Sequence, residues 1–335
     1  AANTLLGDTD QATTITGGAG IDTITGGTGA DTINAGAGND IINSSTGADT
    51  INGEAGNDTI NLGAAAQTIN GGDGNDTVKA AGNTAFGQSI KGGAGTDIYQ
   101  ITTDEAASDF SVVSEFETLA IAGDITVDVS DFGNNTFTTV TNDDAAARTV
   151  NIDGIVNETV CFKTNALGGA SSVDLKTNTG SSDSIKLKFA DTTAQDFGAL
   201  LTVDAVETIN IESDNANSTV TTDITMSIDL VADDATTINI TGDAGLAFLI
   251  DGSDDTTAVT TLDASGMSIA KATYAGVTYA SQNTTANATI TITGSGGVDT
   301  LTGNAATNDT ISGGAGADTL VYTGGRDTLT GGAGN

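Results

Sequence analysis

The sequence predicts an all-β chain. A parallel β-roll is expected over residues 1–100, a Thr/Val-rich irregular β-solenoid or β-sandwich over residues 101–293, and a second short parallel β-roll over residues 294–335. Three observations carry this reading. An aliphatic residue recurs every ninth position from Ile15 through Ile24, Ile33, Ile42, Ile51, Ile60 and Ile69 to Val78. Glycines and an aspartate stand at fixed offsets before it. Between the two blocks the chain turns to alternating apolar and polar residues with no Pro, so its turns must rely on Gly, Asn and Asp.

The first block reads as six turn residues followed by three strand residues. Gly17-Gly18-Ala19-Gly20-Ile21-Asp22 followed by Thr23-Ile24-Thr25 is one copy, and Gly71 to Lys79 is another. The sixth position is held by Asp22, Asp31, Asp40, Asp49, Asp58, Gln67 and Asp76. After a three-residue insertion around Phe86, Asp97 restores it. Glycine fills the second and fourth positions at Gly18 and Gly20, Gly27 and Gly29, Gly36 and Gly38, Gly72 and Gly74, and Gly93 and Gly95.

Two such units make one coil of two strands and two turns, so residues eighteen apart lie above one another, about 4.8 Å apart. Ile24, Ile42, Ile60 and Val78 should stack on one sheet, and Ile15, Ile33, Ile51 and Ile69 on the other. The glycines allow positive φ and close backbone approach. Their carbonyls, with the aspartate carboxylates, offer an all-oxygen cage suited to calcium. One row of sites should run along Asp22, Asp40, Asp58 and Asp76. The other should run along Asp31 and Asp49 and weaken at the neutral Gln67, as it does at Thr13.

In the middle segment, Ile125 to Val129 and Ile185 to Phe189 alternate as strands, and Thr192 to Leu201 is the place for a short helix. A phrase recurs: Phe116-Glu117-Thr118-Leu119, Val206-Glu207-Thr208-Ile209, Ala235-Thr236-Thr237-Ile238 and, more loosely, Val259-Thr260-Thr261-Leu262. Its spacing suits rungs of an irregular solenoid or equivalent strands of sandwich repeats. The acidic or Gly-rich turns after it, such as Glu212-Ser213-Asp214 and Thr241-Gly242-Asp243, are candidates for further calcium or for plain solvated loops. The nonapeptide returns at the end of the chain. Asp299, Asp309, Asp318 and Asp327 precede Leu301, Ile311, Leu320 and Leu329, and Gly314 and Gly316 take the glycine positions.

Composition excludes several classes of function. Nine Lys and Arg stand against 44 Asp and Glu, a formal charge of −35, which argues against a nucleic-acid binder and against adsorption to anionic lipid. The chain contains no His, which removes His-based metalloproteases and Ser-His-Asp hydrolases. No nucleophile elbow, phosphate-binding Gly-rich loop or long apolar stretch is present, so no membrane insertion is expected. Paired carboxylates raise a glycosidase, but calcium turns and a solvated surface account for most of them, and no Trp is available as a sugar platform. Asn57-Asp58-Thr59 and Asn75-Asp76-Thr77 are products of the repeat rather than glycosylation sites. The lone Cys161 reads as a buried small hydrophobe.

The nonapeptides resemble the RTX (repeats-in-toxin) family over about residues 8–100 and 294–335, near two fifths of the chain. That resemblance implies a β-roll with calcium between successive turns, and type I secretion from a Gram-negative bacterium. The adjoining Thr-rich segment is similar to that of surface-layer (S-layer) RTX proteins of the Caulobacter type, although Cys161 departs from their avoidance of cysteine. It implies a non-catalytic structural subunit that folds on binding several calcium ions and assembles with itself into a two-dimensional lattice at the cell surface. The alternatives are a calcium-stiffened segment of a secreted RTX adhesin and the repeat portion of a secreted enzyme. The start at Ala1 without an initiator Met, and the stop at Asn335 within a turn, lead us to expect a fragment. Its export signal, and any attachment to cell-surface polysaccharide, would lie outside it.

Overall fold

A computed structural model describes residues 2–80, 89–102, 110–133, 135, 137–142, 148–156, 159–163, 169–176, 182–216, 222–249, 256–283, 285 and 287–334. The insertion around Phe86 lies outside the described residues. The chain packs as two compact units, Ala1–Asn142 and Asp143–Asn335.

In the first unit each nonapeptide supplies one strand. Thr4–Leu6, Thr23–Thr25, Ile41–Asn43, Thr59–Asn61, Thr77–Ala80, Ile98–Ile101, Thr118–Ile121 and Thr139–Asn142 follow one another as parallel neighbours in one sheet. Thr14–Ala19, Thr32–Ala37, Thr50–Ala55, Thr68–Asp73, Ser89–Ala94 and Val113–Ser114 do the same in a second. The register is the expected one: Ile24 pairs with Ile42, Ile42 with Ile60 and Ile60 with Val78. Ile15, Ile33, Ile51 and Ile69 pair likewise in the other sheet.

A core one aliphatic side chain deep from each sheet is what a nine-residue unit with one inward residue can build. Ile24, Ile33, Ile42, Ile51 and Ile60 are fully buried in it. Asn side chains bond up the stack, Asn52 Nδ2 to Asn34 Oδ1 and Asn61 Nδ2 to Asn43 Oδ1, both at 2.9 Å. Where the rungs lengthen, aromatic rings fill the larger section. Tyr99, which pairs with Val78, lies 5.4 Å from Phe116 and 6.0 Å from Phe132 between ring centroids.

The second unit is also a parallel solenoid, which decides between the two architectures expected for the middle segment. A sandwich would pair its strands antiparallel. Here every described pairing is parallel, and the recurrent phrase marks successive rungs of one sheet. Thr208 pairs with Thr237 and Thr237 with Thr261, while Ile209 pairs with Ile238 and Ile238 with Leu262. The stack continues into the second repeat block, where Leu262 pairs with Ile292, Ile292 with Ile311 and Ile311 with Leu329.

The helix expected over Thr192 to Leu201 is not formed. Gln195–Thr202 is a strand beside Thr225–Val231, with Phe197 and Leu201 buried. Neighbouring rungs offer that backbone a ladder of hydrogen bonds, and this overrides a weak local preference. Among the described residues helix is limited to two single 3-10 turns, Phe110–Val112 and Val129–Asp131, and no helix is long and apolar enough to cross a membrane. Cys161 is buried, as expected.

Candidate calcium centre

The glycine-rich turns place the motif aspartates inside the solenoid rather than on its surface. Asp22, Asp40 and Asp97 are fully buried, and Asp31, Asp49, Asp58 and Asp76 are nearly so. One carboxylate oxygen of each is used by the backbone. The amide of Asp22 donates to Asp40 Oδ1 at 2.7 Å, Asp40 to Asp58 at 2.7 Å, Asp58 to Asp76 at 2.8 Å and Asp76 to Asp97 at 2.7 Å. The other row has Thr13 donating to Asp31 at 2.7 Å and Asp31 to Asp49 at 2.8 Å. These bonds satisfy buried amides that the sheet ladder does not reach.

The second oxygen, Oδ2, is buried without a hydrogen-bond partner at Asp22, Asp31, Asp40, Asp49, Asp58, Asp76 and Asp97. A buried, unpaired carboxylate oxygen is costly unless a cation meets it. Burial, reinforced by Asp76 and Asp40, pushes the Asp58 carboxyl up to about 7 against the lowering effect of the Asp40 amide. Burial, with Asp76, Glu117 and Glu115, pushes Asp97 up to about 6. Asp49, Asp76 and Asp299 are raised too, burial again being the largest cause.

Among the described residues no three acidic, His or Cys side chains converge on a point. Each rung brings one carboxylate, so backbone carbonyls must complete any cage. That donor set, all oxygen with few charges, suits calcium rather than a transition metal.

The second- and fourth-position glycines adopt positive φ at Gly18, Gly20, Gly27, Gly36, Gly38, Gly72, Gly74, Gly93, Gly95, Gly314 and Gly316. Gly29 does not; it is required by close approach, since a Cβ there would fall 2.4 Å from the carbonyl carbon of Gln11. The first-position glycines matter in a way the sequence reading missed. A Cβ on Gly53 would lie 2.4 Å from Asp58 Oδ2, on Gly71 2.5 Å from Asp76 Oδ2, and on Gly17 2.7 Å from Asp22 Oδ2. These glycines keep open the space against the free oxygen.

The sequence reading also missed Glu117. Its Oε2 accepts the Asp97 amide at 2.7 Å, so it takes the place of the motif aspartate one rung further on. Glu207 does the same for Asp183 at 2.8 Å in the second unit. The signal was present, since Glu-Thr-Leu and Glu-Thr-Ile align with Asp-Thr-Ile.

The C-terminal aspartates divide into two kinds. Asp318 and Asp327 keep a buried, unpartnered Oδ2. Asp299 has both oxygens engaged, Oδ1 by the Val277 amide at 2.5 Å and Oδ2 by the Ser295 amide at 2.9 Å. Asp309 accepts from the Asn304 amide at 2.6 Å and the Thr307 hydroxyl at 2.5 Å. A serine in the second position and an extra residue between Gly303 and Asp309 produce these internal bonds.

Residues 9–42, 43–78 and 293–329 match the family model of the RTX calcium-binding nonapeptide repeat. No curated protein matches the chain. The matched segments and the parallel solenoid together support an RTX β-roll, and calcium is its cofactor. RTX repeat proteins are generally secreted, which places this calcium-binding structural repeat region outside the cell.

Proposed function

We propose that the chain is a non-catalytic structural subunit of a bacterial surface layer, switched on by calcium. The observation that carries this reading is the stack of buried carboxylates, each with an oxygen that no protein group meets. In a calcium-poor cytosol these charges oppose folding and the repeats stay open for export, by a type I route from a Gram-negative cell. Outside, the ion fills the rows, and its binding free energy becomes folding free energy. The aspartates with a free Oδ2 supply the charged ligands, and the turn carbonyls supply the rest.

Self-assembly is supported by the chain's charge. At −35 with nine basic residues, two copies repel until a divalent ion lies between their acidic faces.

Electron microscopy of the purified chain with chelator and with millimolar calcium tests the reading. Ordered sheets or regular oligomers only with calcium are expected. Folded single particles at every protein concentration would overturn assembly and favour an adhesin segment or the repeat portion of a secreted enzyme.

A further inference from the structure

We infer that the second unit holds, outside the nonapeptides, an additional calcium site built on Asp191 and its in-register neighbour Asn215. The site lies at the ends of strands Ser184–Asp191 and Thr208–Asn215, with strand Thr237–Gly242 on the next rung.

Three features that distinguish the repeat turns recur here without the repeat sequence. The first is the ladder. The Asn215 amide donates to Asp243 Oδ1, one rung on, at 2.7 Å, as the Asp22 amide does to Asp40. The second is the glycine over backbone. Gly242 has φ +103°, and a Cβ on it would meet the Ser213 carbonyl oxygen at 2.1 Å. Gly36 over Gly18, at φ +107° and 2.0 Å, has the same relation within the repeats. The third is a buried acid with a free oxygen. Asp191 is 4% exposed, and its Oδ2 has no hydrogen-bond partner.

Among the described residues the charge on Asp191 has no counterpart. Leu187, Phe189 and Asp191 alternate onto the inward face of their strand, whereas Lys188 projects from the other face. There its ammonium is held by Glu212 at 2.6 Å and Asp214 at 2.5 Å. The other oxygen of Asp191, Oδ1, accepts the Thr192 and Thr193 amides, which fixes the carboxylate while leaving Oδ2 free. Asn215 is the in-register neighbour of Asp191 on the next rung and is itself 8% exposed. A hard divalent cation on Asp191 Oδ2, with Asn215 supplying oxygen from the next rung, neutralises a carboxylate that is otherwise buried unpaired.

The test is an ion count on the full chain at saturating calcium, by native mass spectrometry. D191N, which preserves the shape of the side chain, is expected to bind one calcium fewer than the unmodified chain. D131N, at an exposed carboxylate, should leave the count unchanged. A folded D191N with the full count overturns the site. Crystals of the unmodified chain grown with terbium in place of calcium give a second readout that does not depend on the variant folding. An anomalous peak beside Asp191 is expected; filled repeat rows with none at Asp191 would reject the proposal.

Discussion

Gln67 Nε2 donates to Ser44 Oγ at 2.6 Å, and both side chains are buried. A neutral hydrogen bond therefore stands where the second row would continue beyond Asp49. The hydroxyl of Ser44 also accepts the Gly63 amide at 2.6 Å, while Gln67 Oε1 is left as a buried oxygen with no hydrogen-bond partner. Gln67→Asp replaces this neutral amide by a buried charge. Without calcium the variant should be less stable by about 1–3 kcal/mol, the cost of a buried unsatisfied group. With calcium it should bind one more ion. Chelator-referenced denaturation together with ion counting checks both, and lower stability without the extra ion would show that the Leu62–Ala66 turn cannot complete a cage.

Asp58 has two functions, since its Oδ1 takes the Asp40 amide and its Oδ2 is left free for an ion. Asp58→Ala removes both functions. Leaving the Asp40 amide unpaired costs about 1–3 kcal/mol, so the calcium midpoint for folding residues 8–100 should rise by about tenfold or more. Asp58→Asn keeps an acceptor and loses the charge, so it should raise the midpoint with less effect on the metal-free state. Asp73→Ala, at an exposed position in the turn of the next rung, is the control. Circular dichroism during a calcium titration gives the midpoints, and an unchanged value for Asp58→Ala would refute the row assignment.

The metal-free roll should lose stability as pH rises. Asp58 and Asp97 have folded values of about 7 and about 6, against 3.8 for the ordinary carboxyl. Between those limits the folded state holds more protons than the unfolded state, so deprotonation favours unfolding. In chelator, melting should occur at a higher temperature near pH 5 than above pH 7. Calcium displaces the protons, so its affinity should increase through the same window and its binding near pH 6 should release protons into weak buffer. Melting curves that do not depend on pH in chelator would contradict the burial of these charges.

Gly71→Ala tests the space beside the free oxygen. The added methyl would lie 2.5 Å from Asp76 Oδ2 and 2.3 Å from the Gly92 carbonyl. A loss of about 1–3 kcal/mol is expected from the overpacking, with one calcium fewer at saturation. Gly133→Ala, with nothing within 4 Å of the new methyl, should be neutral in the same assays.

The repeat blocks were legible because one residue in nine carries the core and one carries the charge. A fixed period is enough to place Ile24 over Ile42 and Asp22 over Asp40. The Thr-rich rungs were legible only as an echo, because their lengths vary. Thr208 and Thr237 pair across 29 residues, and Thr237 and Thr261 across 24, so no single period exposes them. The strand at Gln195–Thr202 was not legible, since its state depends on neighbours distant in the sequence. The same holds at the sites. Asp299 and Asp318 hold the same motif position, and what Ser295 does in place of the glycine at Gly314 shows only in its hydrogen bonds to Asp299. Asp191 follows no motif, and its unpaired oxygen emerges from where the chain folds around it.

The aspartate ladder of the first unit gives the stack a polarity. Every amide in the row from Asp22 to Asp97 points toward the rung that follows, and every accepting oxygen faces the rung that came before. The two faces of any one rung are therefore chemically unlike, one presenting donors and the other acceptors. Like a head-to-tail polymer, the row has a sense of direction, and a rung laid down upside down would meet its neighbour donor against donor.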